Sequence, residues 1–152
     1  MDASEFFGIM GFGFLFFVLI FVGILVINVF LYVYKSLAFM YIGKKAGDNL
    51  APLAWIPYVG NTIVAYRSSG MHWWPWIFIA IYMLSFLPLM FLDSIIVPIV
   101  IFVSIVIYVV FFIIWLWKLF EKANWPGWMA LLYIIPVVNL VILGIVAWMK
   151  RE

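Results

Sequence analysis

Cysteine is absent from this chain, histidine occurs once, and charged side chains make up only 9% of it. Without cysteine there are no disulfides and no thiolate metal sites. The lone His72 stands beside Trp73 and Trp74, with Asp48 as its nearest acid in the sequence. That is no ligand set for zinc, and the residue reads as an interfacial histidine. A soluble domain carries about a quarter charged residues, so the charge content is far too low for one. The net charge of +2 is small and its basic residues are scattered, which excludes a nucleic-acid stripe. Asp2, Glu5, Asp93, Glu121 and Glu152 fall at loops or termini. No carboxylate is left within an apolar run to couple protons or sodium. No metal or cofactor is expected.

What the chain has instead is length without charge. Residues 7–34, 73–92 and 95–117 are apolar runs interrupted only by Asn28, Ser85 and Ser104, and 128–148 follows close behind. About 20 apolar residues at 1.5 Å rise span the roughly 30 Å hydrocarbon core of a bilayer. The expectation is an all-α, polytopic membrane protein forming a single unit over 1–152. It has about four transmembrane helices and a short re-entrant or interfacial segment at 50–66. The first run is expected to be an uncleaved anchor, because Asp2 and Glu5 precede it and Lys35 follows, the reverse of a basic leader.

Basic residues choose the side. Cytoplasmic loops collect Lys and Arg. If 50–66 does not cross, Lys35, Lys44, Lys45, Arg67, Lys118 and Lys122 share one face, opposite Asp2, Glu5 and Asp93. Loops 35–72 and 118–127 are therefore expected in the cytoplasm and the N-terminus outside. Trp73, Trp74, Trp76, Trp115, Trp117, Trp125 and Trp128 cluster at the run ends on that face, as interfacial anchors do. On the far side, Asp93 or Ser94 is placed to cap the helix that follows, Pro98 falls in its first turn, and Pro88 kinks the one before.

An internal repeat joins the halves. Lys45-Ala46-Gly47 is followed by Ile56-Pro57 and Asn61, while Lys122-Ala123-Asn124 is followed by Ile135-Pro136 and Asn139. The two Lys-Ala pairs are 77 residues apart. Proline removes a backbone donor and frees a carbonyl one turn earlier, which lipid cannot satisfy. Each Ile-Pro is thus a break, and the Asn after it is positioned to reach across with its amide. The 17 residues of 50–66, with two prolines, Gly60 and Asn61, make a poor span. The 21 residues of 128–148, with one Pro and one Asn, are expected to cross in full. A dip and return there would instead bring all eight basic residues to one face.

The segment Glu121-Lys122-Ala123-Asn124-Trp125-Pro126-Gly127-Trp128-Met129-Ala130-Leu131, continuing through Ile135-Pro136 to Asn139, resembles a group of small prokaryotic multi-pass membrane proteins of unknown function. These are often labelled signal peptidase I. The stretch from Lys45 to Arg67 is a looser second match, with Asp48-Asn49-Leu50 where Pro-Gly-Trp is the pattern. The resemblance implies a multi-pass membrane protein and supplies no activity. The peptidase label fails on chemistry: a Ser/Lys pair needs a buried, pKa-lowered lysine, and every lysine here is placed in a loop or at a run's end.

Two functions are left. The favoured one is a non-enzymatic structural or accessory subunit whose partners are the bilayer and itself or other membrane proteins. The alternative is a small channel or transporter using Pro57, Asn61, Pro136 and Asn139 as broken-helix elements, with Asn28, Ser85 and Ser104 as intramembrane polar groups. The ordinary role of such groups is helix–helix hydrogen bonding, about 0.6 kcal/mol each.

Overall fold

The computed structural model describes residues 3–84 and 96–149. Ser85, Pro88, Asp93, Ser94, Lys150 and Arg151 lie outside the described residues. Among the described residues every regular element is helical: α1 (Ala3–Lys45), a 3-10 helix (Ala51–Trp55), α2 (Gly60–Ser69), α3 (Trp76–Leu84), α4 (Ile96–Lys122), a second 3-10 helix (Gly127–Ile134) and α5 (Val138–Trp148). Two stretches are long and apolar enough to cross a membrane, Met10–Lys45 and Val97–Lys122.

The chain divides into two units, Met1–Lys35 and Ser36–Glu152. The first is continuous helix from Ala3 onward, and its side chains from Met10 to Phe30 lie almost entirely exposed. It shows no amphipathic stripe, since Phe, Leu, Ile and Val occupy every side. Its one polar interruption, Asn28, donates its amide to the Ile24 carbonyl one turn back at 2.8 Å. Asn28 is thereby bonded within its own helix.

The second unit contains the last turns of α1 and everything after. The helix does not stop near Lys35, as the charge pattern implied, but runs on to Lys45. Ala38, Phe39 and Ile42 explain why: at helical spacing they form one fully buried face. The chain then leaves α1 through a left-handed Gly47, whose φ is 81°. Backbone bonds from Gly47 to the Lys44 carbonyl and from Asp48 to the Gly43 carbonyl close the helix end. Asp48 opens the next turn, its Oδ1 accepting the Leu50 N–H at 3.0 Å.

α4 is the hub, packed against α2, α3 and the second 3-10 helix. Pro98 lies in its first turn, where no donor is needed. The core gathers toward the C-terminal end of α4. Trp115, Leu116, Leu119 and Phe120 are buried there with Phe39 and Ile42 of α1, Val64 of α2 and Leu143 and Val146 of α5. Earlier in α4, by contrast, Ile99, Phe102, Val106 and Val110 are exposed.

Residues 128–148 are not one helix. The 3-10 helix Gly127–Ile134 ends at Ile135, and α5 begins only at Val138. Eleven residues of α-helix rise about 16 Å, roughly half the hydrocarbon thickness. The expected 73–92 run is helical over Trp76–Leu84, its remainder falling outside the described residues.

Tryptophan divides in two groups. Trp73, Trp74, Trp117 and Trp128 are exposed, whereas Trp115 is wholly buried. Its ring lies 6.0 Å from that of Trp76 in a stacked pair, and Tyr66 sits edge-on to both at 5.6 and 5.4 Å. Trp115 is therefore a core residue and no interfacial anchor. Its position at the end of an apolar run disguised that, because α2 and α3 pack at the same level.

Candidate functional site

Both Ile-Pro elements adopt the same backbone course. After Pro57, Tyr58 takes a φ of 66°, and after Pro136, Val137 takes 70°. In each copy the residue after the turn donates back two positions: Val59 to the Pro57 carbonyl and Val138 to the Pro136 carbonyl, both at 2.8 Å. With ψ at −51°, Val137 occupies the γ-turn conformation of positive φ, a rare and strained geometry for a β-branched residue. The next amide reaches the isoleucine before the proline, Gly60 to Ile56 at 2.9 Å and Asn139 to Ile135 at 3.0 Å. The breaks are therefore closed by backbone. The asparagines do not bridge them as expected: Asn61 Oδ1 is buried without a hydrogen-bond partner.

The resemblance extends upstream. Asn124, at φ 62°, ends α4 as Gly47 ends α1, with the same pair of helix-closing bonds from Asn124 to Glu121 and Trp125 to Phe120. Each copy thus reads helix, left-handed cap, 3-10 helix, Pro-centred γ-turn, short return helix. In the first copy the return is tight. A Cβ at Gly60 would stand 2.5 Å from the carbonyl oxygens of both Leu53 and Ala54.

Three contacts gather the helix ends of this unit. Lys45 Nζ donates to the Val146 and Met149 carbonyls at 2.7 and 2.8 Å. Arg67 Nε lies 3.5 Å from Asp48 Oδ2, and the Lys122 ammonium lies beside Gly70. The C-terminal ends of α1, α2, α4 and α5 therefore meet at one level. Unsatisfied carbonyls make such ends electronegative, and cations there are stabilising. This arrangement explains the Lys and Arg placement without any anionic ligand.

The remaining feature is a cavity of about 310 Å3 beside the first break. Tyr58, Val59 and Thr62 form one wall, Trp76 and Met83 of α3 a second, and Tyr108 and Val109 of α4 a third. Its lining is overwhelmingly apolar. The exception is Thr62 Oγ1, which shares a 2.8 Å hydrogen bond with Tyr108 OH. Of the expected site residues, none lines it: Pro57 and Asn61 flank the lining residues in sequence, while Pro136 and Asn139 belong to the other hairpin. Ser104 is buried in α4. Thr62 and Tyr108 were missed by sequence reasoning. A tyrosine in the middle of the 95–117 run, rather than at its end, was the available signal, because Tyr ordinarily keeps its hydroxyl at the wet boundary.

Among the described residues no three His, Asp or Glu side chains converge. The chain matches no family model, no curated protein and no solved structure.

Proposed function

We propose that this chain is a multi-pass membrane protein of structural or accessory character, with the two Ile-Pro elements as half-depth hairpins entering from the same face. The observation that carries this reading is the Lys45 contact with the end of α5. It holds the return helix of the second hairpin level with the entry point of the first. Lys44, Lys45, Arg67 and Lys122 then lie on one side, taken as cytoplasmic by the basic-residue rule, with the N-terminus opposite. In this reading α1 and α4 cross the membrane, α3 begins a third crossing, and the hairpins only dip into it.

Non-helical backbone at depth must be buried in protein or face water. The γ-turns meet that requirement by internal bonding. The exposed faces of α1 (Phe12, Phe16, Phe30) and of the early part of α4 (Phe102, Val106, Val110) are surfaces for lipid or for another membrane subunit. No catalytic role is proposed.

A conduit is the alternative reading, and the unpartnered Oδ1 of Asn61 is the observation in its favour. Two hairpins entering from the same face form a parallel repeat, not the inverted pair on which many transporters are built. Purification in a mild detergent, with the composition of the recovered complex identified, tests the subunit reading. Reconstitution in vesicles tests the alternative: ion or solute flux abolished by Asn61→Leu would replace the subunit reading with a conduit.

A further inference from the structure

We propose that the cavity beside the first hairpin binds a flat, ring-bearing apolar molecule dissolved in the membrane, recognised through one carbonyl oxygen by the Thr62–Tyr108 hydroxyl pair. This inference rests on the membrane reading above, which sets the depth of the site.

Three observations carry it. The first is chemical. Two hydroxyls that share one hydrogen bond hold two hydroxyl hydrogens and use one between them. The second hydrogen is left for a further acceptor, so the pair acts as a single donor. The second observation is depth. Tyr108 precedes Lys122 by fourteen residues of α4, about 21 Å along the axis at 1.5 Å per residue. At that level the hydrocarbon offers no water, and an unspent polar hydrogen is costly. A ligand acceptor removes that cost and gains orientation in return.

The third is shape. Trp76 presents a wall made rigid by its stacking on Trp115 and by the edge of Tyr66. Tyr108 supplies a second ring, and Tyr58, fully exposed at the strained turn, stands at the mouth. Aromatic walls favour planar guests by offset stacking. The volume lies at the small end of the ligand-pocket range of about 300–1,000 Å3, which suits two fused rings. An apolar lining with one convergent polar group is the usual composition of such a site.

The test compares two probes of nearly equal shape, 2-methyl-1,4-naphthoquinone and 2-methylnaphthalene, which differ in the carbonyls. The full-length protein in detergent micelles is titrated with each and the apparent Kd is taken from the rise in Tm. Comparing variants in the same micelle cancels probe partitioning. The wild type is expected to bind the carbonyl probe about five-fold more tightly, the worth of one net hydrogen bond. The double variant Thr62→Val, Tyr108→Phe should bind both probes alike, and Thr62→Ser should restore the preference. Val109→Trp, which fills the cavity from a partly exposed helix position, should abolish binding of both. Equal affinity of the two probes for the wild type, or a preference that survives the double variant, would overturn the assignment. A protein that stays monomeric in plain buffer would overturn the membrane reading instead.

Discussion

Replacing Lys45 with methionine keeps the aliphatic stem and removes the ammonium that holds the end of α5. The wild-type Nζ makes two short bonds, to the Val146 and Met149 carbonyls, both among the last carbonyls of a helix and without intrahelical donors. A buried hydrogen bond to a charged group is worth about 1.5–3 kcal/mol. Here one contact is part-buried and the other exposed, so screening cuts the pair to about 1–2 kcal/mol in total. Lys45→Met should lower the free energy of unfolding by that amount in a sodium dodecyl sulfate titration of mixed micelles, followed by tryptophan fluorescence. Lys45→Arg, which keeps the charge and can still reach both carbonyls, should retain most of the stability. If Lys45→Met falls within about 0.3 kcal/mol of wild type, or Lys45→Arg loses as much, the contact does not hold the hairpin. The argument for a return to the entry face would then lose its basis.

Three other outcomes follow from the same geometry. Gly60→Ala gains about 1 kcal/mol of helix propensity but drives a methyl into two backbone carbonyls, so a net loss of about 2 kcal/mol is expected; a stabilised variant would mean the first hairpin is looser than described. Val137→Gly removes a largely exposed side chain from a strained φ and should be neutral or stabilising by up to about 1 kcal/mol, whereas a clear loss of chemical stability would count against the γ-turn. Because the chain has no cysteine, single cysteines can be labelled without background. Asn49→Cys and Met149→Cys in oriented vesicles should react with an impermeant maleimide from the same side, and labelling from opposite sides would restore a full crossing by 128–148.

The legible parts of this fold were those that hydropathy measures directly. Uncharged runs as long as 7–34 and 95–117 leave a helix little alternative in lipid, and α1 and α4 contain them. The Lys-Ala-Gly and Lys-Ala-Asn pairs were also visible, because Gly and Asn are the residues that end helices in the left-handed conformation. The breaks themselves were harder. A window average over 128–148 is blind to where its helix stops, and a single Pro136 barely lowers it. Turn grammar gave no help either, since Tyr58 and Val137 are side chains that ordinarily avoid positive φ. The asparagines drew attention as bridging groups because their amides are suited to it, yet Val59, Gly60, Val138 and Asn139 close the gaps with main-chain N–H groups. Nor does any sequence pattern align Thr62 with Tyr108, which are 46 residues apart and meet only through the packing of α2 on α4.

Half-depth hairpins also account for where the core lies. An element that enters from one face and turns back after about 16 Å can cover only the near half of a crossing helix. Along α4 the buried residues accordingly run from Trp115 to Phe120, beside the helix ends held by Lys45 and Lys122, while Phe102, Val106 and Val110 face outward. The cavity begins where the first hairpin ends, under the γ-turn at Tyr58. Lengthening the hairpin would close that space; a left-handed residue with no glycine to relax it keeps the turn short. On this argument the strain at Tyr58 is what leaves room for a guest at mid-depth. Tyr58→Gly, by relaxing the turn and removing the ring at its mouth, should weaken the carbonyl probe and its hydrocarbon counterpart equally. A loss confined to the carbonyl probe would place Tyr58 in the hydrogen-bonding set and refute its role as a spacer.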